Sequence, residues 1–346
     1  TDGIGTEFDV SEFIPVEAAH AVYISLQVAD GANLKLDPDE TAPLNVTIKN
    51  IGAVPVQDVY ARLYTDNDLI SITDNTAYFG ELPVNTEVST STDNFIVWQR
   101  PQTLPGMVMP LTLKLYNASG FEQYVPFTLT VGTVTQSDPL GPDTYGYVIY
   151  DVTDNTYPDA PVYDWVEIAP QAGGFGTAVP ISDAYASNDE GDQVGANSLG
   201  VVNLPFPFQF YGRLYDQITV CSNGFLAMGV TENAEFRNFR LPGAMGPSPM
   251  IAPFWDDLAT HPTGGIYTYF DRNNHSFIIE WYNMRNGKNG TSVETFQVIL
   301  YDQATYNTSL GDGPIKFQYH TFNNVDSQSG ANHGNYSTIG IKYHTG

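Results

Sequence analysis

Strict alternation of apolar and polar residues is the feature that most constrains this chain. Residues 44–50 (LNVTIKN), 59–65 (VYARLYT), 109–117 (MPLTLKLYN) and 124–132 (YVPFTLTVG) alternate with a period of two and are rich in β-branched and aromatic side chains. No window of ten or more residues has capped helical periodicity, and 31 Gly and 23 Pro separate the alternating segments. The pattern predicts an all-β chain built from half-buried antiparallel strands.

The spacing of these segments predicts two antiparallel β-sandwich domains. About seven strands fit into residues 21–132, which is the size of one immunoglobulin-like domain. Residues 133–144 are polar and rich in Pro and Gly, and we expect a linker there. Residues 145–346 hold nine or more further strand patterns, including 145–151, 162–168 and 217–229, which predicts a larger sandwich or jelly roll. Residues 1–20 are expected to be a lead-in segment or a strand donated to a neighbouring sheet.

Charge excludes two classes of partner. The chain has 13 Lys and Arg against 39 Asp and Glu, a formal charge of −26. Such a surface repels nucleic-acid phosphates and anionic lipid, so neither is an expected partner. No run of about 18 apolar residues is present to insert into a bilayer. Other protein subunits and glycans stay as candidate partners.

Catalytic groups do not converge in any motif of the sequence. Cys221 lies in the strand pattern ITVCSNG without a neighbouring histidine and is interpreted as a buried strand residue. The six histidines are scattered without zinc-ligand spacing. Asp256 and Asp257 follow the apolar run in PMIAPFWDDL, and consecutive residues of an extended segment point to opposite faces. They are therefore expected to cap a buried strand, with calcium binding as the alternative, and the chain is predicted not to be an enzyme.

Calcium is the metal that the acidic loops favour, because it takes six to eight oxygen ligands from Asp, Glu, Asn and carbonyl groups. None of the loops has EF-hand spacing, so a solvated acidic turn is the alternative for each. Three loops supply candidate ligands, namely Asp30, Asn33, Asp37 and Glu40; Asp151, Asp154 and Asp159; and Asn188, Asp189, Glu190 and Asp192.

Aromatic residues offer one further kind of binding site. The four tryptophans, Trp98, Trp165, Trp255 and Trp281, accompany 22 Tyr. We expect most of the tryptophans to fill the space between sheets. An exposed glycan-binding platform is the alternative for any one of them.

The second segment resembles a known module over residues 137–345. The motifs are, in that order, SDPLGPDTYGYVIYDVTD, YDWVEI, LPFPFQFYGRLYDQITVCSNGFLAMG, FRNFRLPG, PMIAPFWDDL, GGIYTYFD, FIIEWYNMRN, ETFQVILYD and IKFQYHTFNNVD. They resemble a β-sandwich module that occurs downstream of gingipain-like and subtilisin-like peptidase domains in large bacterial proteins secreted by the type IX route. The order FPF, FYG, SNGFL and PFW is also similar to the nidogen-type extracellular domain. The resemblance implies a nidogen-like β-sandwich in residues 145–346.

The first segment resembles the immunoglobulin-like spacer that often precedes that module. The shared stretch is ADGANLKLDPDETAPLNVTIKNIG, with Asp39 where the usual pattern has Gly. The two resemblances together imply a non-catalytic, extracellular or cell-surface accessory region, covalently continuous with further domains, that acts as a spacer, adhesion or assembly module. The alternatives are a subunit of a filament or surface layer assembled by strand donation, and a glycan- or peptide-binding module of a secreted peptidase.

Overall fold

The structure is a computed structural model that describes residues 17–31, 33–183, 197–286, 292–324 and 337–343. The chain divides into two compact units, residues 1–160 and 161–346. Residues 133–144, the expected linker, and residues 145–160 group with the first unit.

The first unit is built from two antiparallel sheets. The strands are β1 (Ala21–Val28), β2 (Thr41–Asn50), β3 (Val56–Tyr64), β4 (Ile70–Asp74), β5 (Thr76–Leu82), β6 (Glu87–Ser89), β7 (Phe95–Gln99), β8 (Val108–Tyr116) and β9 (Glu122–Thr130). One sheet has the order β1-β2-β7-β4 with β6 beside β2, and the other has the order β5-β3-β8-β9.

Alternation along the strands places one core between these two sheets. On β2 the buried positions are Leu44, Val46 and Ile48, and on β8 they are Leu111, Leu113 and Leu115, whereas the residues between them are more exposed. The buried positions of both sheets belong to one hydrophobic cluster. The sequence prediction of a half-buried sandwich is therefore confirmed for this unit.

The second unit also has two antiparallel sheets, of six and five strands. Its strands are β10 (Thr177–Ala178), β11 (Leu199–Phe210), β12 (Arg213–Cys221), β13 (Phe225–Met228), β14 (Met250–Trp255), β15 (Leu258–Ala259), β16 (Gly265–Asp271), β17 (Ser276–Asn286), β18 (Val293–Tyr301), β19 (Ile315–Thr321) and β20 (Thr338–Lys342). The order is β10-β16-β17-β18-β19 in one sheet, with β15 beside β17, and β11-β12-β13-β14-β20 in the other.

Stacked aromatic rings fill the interior of the second unit. Phe296 on β18 stacks on Phe254 of β14 at 5.2 Å and on Trp281 of β17 at 5.1 Å between ring centroids. The Trp281 indole donates a hydrogen bond of 2.8 Å to the carbonyl of Cys221 on β12. Apolar and polar contacts thus join the two sheets, and the all-β sandwich class predicted from sequence is confirmed.

The predicted strands at 145–151 and 162–168 are wrong. Residues 145–151 form only an isolated bridge between Leu140 and Ile149. Residues 162–168 have no backbone ladder, because strand side chains rather than a strand backbone bind their main chain. We call residues 161–169 the strap. In the described ranges no helix is long and apolar enough to cross a membrane.

Candidate functional sites

The outward side of the β5-β3-β8-β9 sheet is the most distinctive surface of the first unit. From Val59 onward, the exposed residues of β3 are tyrosine, arginine and tyrosine, and they alternate with buried Val59, Ala61 and Leu63. The same alternation on the neighbouring strands turns further tyrosines and a lysine outward. We call this surface the tyrosine face, and its members are Tyr60, Arg62, Tyr64, Tyr78, Lys114, Tyr116 and Tyr124.

Strand register sets three of these rings side by side. Tyr60 lies opposite Tyr78 on β5 and opposite Tyr116 on β8. Its ring centroid is 4.8 Å from that of Tyr78 and 6.1 Å from that of Tyr116. The Tyr78 hydroxyl donates to Oδ1 of Asp58 at 3.1 Å, and this bond raises the pKa of Tyr78. Tyr60 is 48% exposed, so its ring remains open to a ligand.

Two cations lie in the next row of the same face. Arg62 pairs in register with Lys114, and Lys114 pairs with Tyr124. The Lys114 amine is 2.8 Å from Oε2 of Glu122 and 5.4 Å from the Tyr124 ring centroid. The hydrogen bond to Glu122 raises the pKa of Lys114, which keeps the amine charged. Two cations directly opposite each other repel, so an acceptor-rich ligand over this row would relieve that repulsion.

In the second unit the strap crosses the outer side of the β16-β17-β18-β19 strands. Three buried polar side chains from neighbouring strands, Glu280, Gln297 and Gln318, lie in one register row beneath it. Gln318 accepts from the Asp164 N–H at 2.7 Å and donates to the Asp164 carbonyl at 2.8 Å. Gln297 donates to the Val166 carbonyl at 3.2 Å. We call this row the side-chain ladder, because it satisfies the strap as a neighbouring strand would.

Glu280 ends the ladder as a protonated acid. Its Oε2 accepts the Ile168 N–H at 3.1 Å, and its Oε1 is buried without a hydrogen-bond partner. Burial, together with the nearby Glu167 carboxylate, raises the pKa of Glu280 to about 8. A pKa of about 8 leaves the buried Glu280 carboxyl protonated at neutral pH, so no charge is buried beneath the strap.

The predicted calcium ligands in the loop before β2 are engaged by the loop itself. Asp30 accepts the N–H groups of Asn33 at 3.2 Å and Leu34 at 3.1 Å. Asp37 accepts the Asn33 amide at 2.7 Å, and Glu40 accepts the Asp37 N–H at 2.8 Å. These bonds describe an ordered acidic turn.

The turn that normally requires glycine is made by Asp39, with φ of 61°. Its Oδ1 accepts the Trp98 indole N–H at 3.3 Å. The aspartate therefore tolerates the left-handed conformation and gains a side-chain contact that glycine lacks.

The second predicted calcium loop contains a buried unsatisfied oxygen. Asp154 is 2% exposed, its Oδ2 accepts the Asp151 N–H at 2.6 Å, and its Oδ1 has no hydrogen-bond partner. Asp151 accepts from Thr153 instead. Within the described ranges, no three His, Cys, Asp or Glu side chains group closely enough to hold a metal ion. Asp189, Glu190 and Asp192 lie outside the described residues, and calcium binding stays a prediction.

The residues weighed as catalytic are deeply buried. Cys221 and Asp256 are both 0% exposed. Asp256 accepts the N–H of Asp257 at 2.9 Å, as expected for a cap, but the N–H of Leu258 is bound by Asn223 at 3.0 Å. The end of the PFWDD strand is therefore capped by an asparagine as well as by the first aspartate.

The tryptophans divide between core and surface positions. Trp255 and Trp281 are 0% exposed, as predicted for core residues. Trp98 and Trp165 are half-buried, and Trp165 packs against His320 with ring centroids 5.3 Å apart. The exposed aromatic surface is built from tyrosines instead, which the sequence analysis did not single out. The signal was present as Tyr60, Arg62 and Tyr64 at alternate positions of VYARLYT.

Comparisons with known proteins give one family match. The model of the NIDO-related family matches residues 173–346. No curated protein matches the chain. The family match confirms the nidogen-like part of the resemblance seen in the sequence.

Several solved structures are similar to part of the chain. The CARDB domain of a Pyrococcus furiosus protein, solved in complex with di-metal ions, is 15% identical with a TM-score of 0.23 and covers 37% of this chain and 100% of that one. The ASH / PapD-like domain of human CEP192 is 7% identical with a TM-score of 0.20 and covers 38% and 100%. A Bacteroides ovatus GH5 xyloglucanase in complex with a XXXG heptasaccharide is 12% identical with a TM-score of 0.17 and covers 50% and 30%. Similarities this low carry no argument about function.

Proposed function

The chain belongs to the NIDO-related family, and on that premise we propose that it is a non-catalytic adhesion module whose tyrosine face binds extracellular glycan. The family match and the two β-sandwich units fit an accessory module. An extracellular or cell-surface location, within a larger secreted chain, is part of the proposal and rests on the sequence resemblance.

The observation that carries the proposal is the row of Tyr78, Tyr60 and Tyr116 on an open sheet face. Tyrosine rings offer an apolar surface for the C–H groups of a sugar, and their hydroxyls bind at its edge. Because a tyrosine side chain has only two χ torsions, it also loses little conformational entropy on binding. Arg62 and Lys114 in the next row add hydrogen-bond donors for sugar oxygens.

Glycan is favoured over a protein partner by the mixed character of the face. Rings and polar groups lie in adjacent rows, and Glu122 and Asp58 provide acceptors beside the donors. A ligand with both C–H faces and hydroxyl groups can satisfy each of these at once. The donated-strand prediction for residues 1–20 concerns mainly residues 1–16, which lie outside the described residues.

A glycan array probed with the full chain tests the proposal. We expect binding to a subset of polysaccharides, strongly reduced by Tyr60→Ala. Tyr163→Ala is the matched control, because Tyr163 is 56% exposed but belongs to the second unit and is not a member of the tyrosine face. If the chain binds no glycan, or if both variants lose binding equally, the glycan proposal is wrong and a spacer or protein-assembly role is favoured.

A further inference from the structure

A cleft of about 360 Å³ opens beside the strap on the outer side of the second unit's larger sheet. Its volume lies in the range of small-ligand sites. The floor consists of Ile278 and Ile299, which pair in register on β17 and β18, with Val166 of the strap at the side. Both isoleucines belong to one buried cluster with Ile168 and Ala169 of the strap, so the cleft continues the apolar surface that the strap covers.

Two tyrosines form the wall of the cleft. The rings of Tyr301 and Tyr306 meet edge to face with centroids 4.9 Å apart. The Tyr306 hydroxyl donates to the Asn274 carbonyl at 3.0 Å, which fixes that ring. Burial raises the pKa of Tyr301, so its hydroxyl stays neutral. The wall is therefore rigid, aromatic and uncharged.

Opposite charges line the rim. Lys316 pairs in register with Ile299 and so follows the floor onto β19. Burial lowers the pKa of Lys316, and the negative charge of Asp164 acts in the opposite direction. The side-chain ladder holds the main chain of Asp164 at both its N–H and its carbonyl. The second acid at the rim, Asp271, is already satisfied by three hydrogen bonds inside its own turn.

The arrangement selects the chemistry of a ligand. An ammonium and a carboxylate stand at the rim of an apolar, aromatic cleft, so a complementary ligand carries a carboxylate, an apolar side chain and a donor nitrogen. A sugar fits less well, because its hydroxyls would face isoleucine and valine without partners. We propose that this cleft binds an α-carboxylate bearing an apolar side chain, with the carboxylate on Lys316, the side chain on Ile278 and Ile299, and the nitrogen toward Asp164.

Two sources supply this chemistry, namely a free amino acid and the C-terminal residue of a peptide. Isothermal titration calorimetry of the full chain against phenylalanine, N-acetyl-phenylalanine, phenylalaninamide and a short peptide ending in phenylalanine separates them. Binding of the peptide and the acetylated compound indicates a peptide C-terminus. Binding of phenylalanine alone indicates a free amino acid. In either case phenylalaninamide, which lacks the carboxylate, should bind at least about tenfold more weakly, as expected for the loss of a charge-assisted hydrogen bond.

Two variants locate the site. Lys316→Gln should weaken binding of every carboxylate ligand by about tenfold or more, since it removes the cation and keeps a polar side chain. Lys35→Gln changes an exposed lysine of the first unit and should leave binding unchanged. A Lys316→Gln chain that melts as the wild type does excludes unfolding as the cause. No binding of any carboxylate ligand at millimolar concentration, equal binding of the amide, or unaltered affinity in Lys316→Gln would overturn the proposal.

Discussion

At the scale of single residues, the second unit buries carboxyl groups that play different structural roles. Glu280 accepts one backbone N–H group, from Ile168 at 3.1 Å. Glu294 accepts two backbone N–H groups, from Asn323 at 2.7 Å and Asn324 at 3.0 Å. Burial raises the pKa of both acids, yet the same substitution should affect them in opposite directions.

Glu280→Gln should stabilise the chain at pH 8. The folded-state pKa of about 8 lies above the ordinary value of 4.5, so the folded chain holds a proton that the unfolded chain loses. Wild-type stability should therefore fall as the pH rises between these values, by up to about 1.4 kcal/mol per pH unit. Gln keeps the hydrogen bond from the Ile168 N–H and does not titrate. Urea unfolding at pH 5 and pH 8 should show a gain of roughly 2–4 kcal/mol at pH 8 and little at pH 5.

Glu294→Gln is the matched comparison. Gln has one acceptor oxygen and would turn an NH₂ group toward a backbone N–H, so we expect a loss of about 1–3 kcal/mol at pH 8 in the same urea experiment. If both variants are more stable than the wild type, burial alone, and not the hydrogen-bonding pattern, determines how much these acids destabilise the folded chain.

At the scale of secondary structure, the strap is a segment whose neighbours are side chains. Gln318→Ala removes both bonds to the Asp164 main chain. We expect amide hydrogen exchange over the strap to accelerate by about tenfold or more, with β17 unaffected, because local opening does not require the sheet to open. Gln57→Ala, at an exposed position of β3, is the control. Faster exchange throughout the second unit would contradict a local role for the ladder.

The strap also shows where sequence reasoning fails. Period-2 alternation predicted a strand at residues 162–168, where none forms, as well as at β16 and β17, where the prediction is right. It did not distinguish pairing with a strand from pairing with Gln318, which lies 154 positions beyond Asp164. Likewise, VYARLYT predicts that Tyr60 points outward, but its ring neighbours Tyr78 and Tyr116 are set by sheet register. The local alternation predicts which side chains of a strand face outward. Which side chains of other strands lie beside them depends on long-range strand pairing.

At the scale of the whole molecule, a formal charge of −26 should make stability sensitive to cations. We expect millimolar calcium to raise the melting temperature more than sodium chloride of equal ionic strength. Both salts screen the negative charge, but only calcium would also bind at a specific site in the folded chain. The unsatisfied Oδ1 of Asp154 is the group that a bound ion would best satisfy. Asp154→Asn should remove the calcium-specific part, and equal effects of calcium and sodium in the wild type would remove the calcium prediction.

The adhesion account depends most on the tyrosine face, because no other surface described in the first unit sets three aromatic rings side by side with cations. The most direct measurement is the dissociation constant of the full chain for its strongest array glycan, compared with that of Tyr60→Ala/Tyr116→Ala. The account predicts a loss of about tenfold or more with an unchanged melting temperature, as expected when stacked rings at the centre of a contact are removed. An unchanged dissociation constant in the double variant would contradict it.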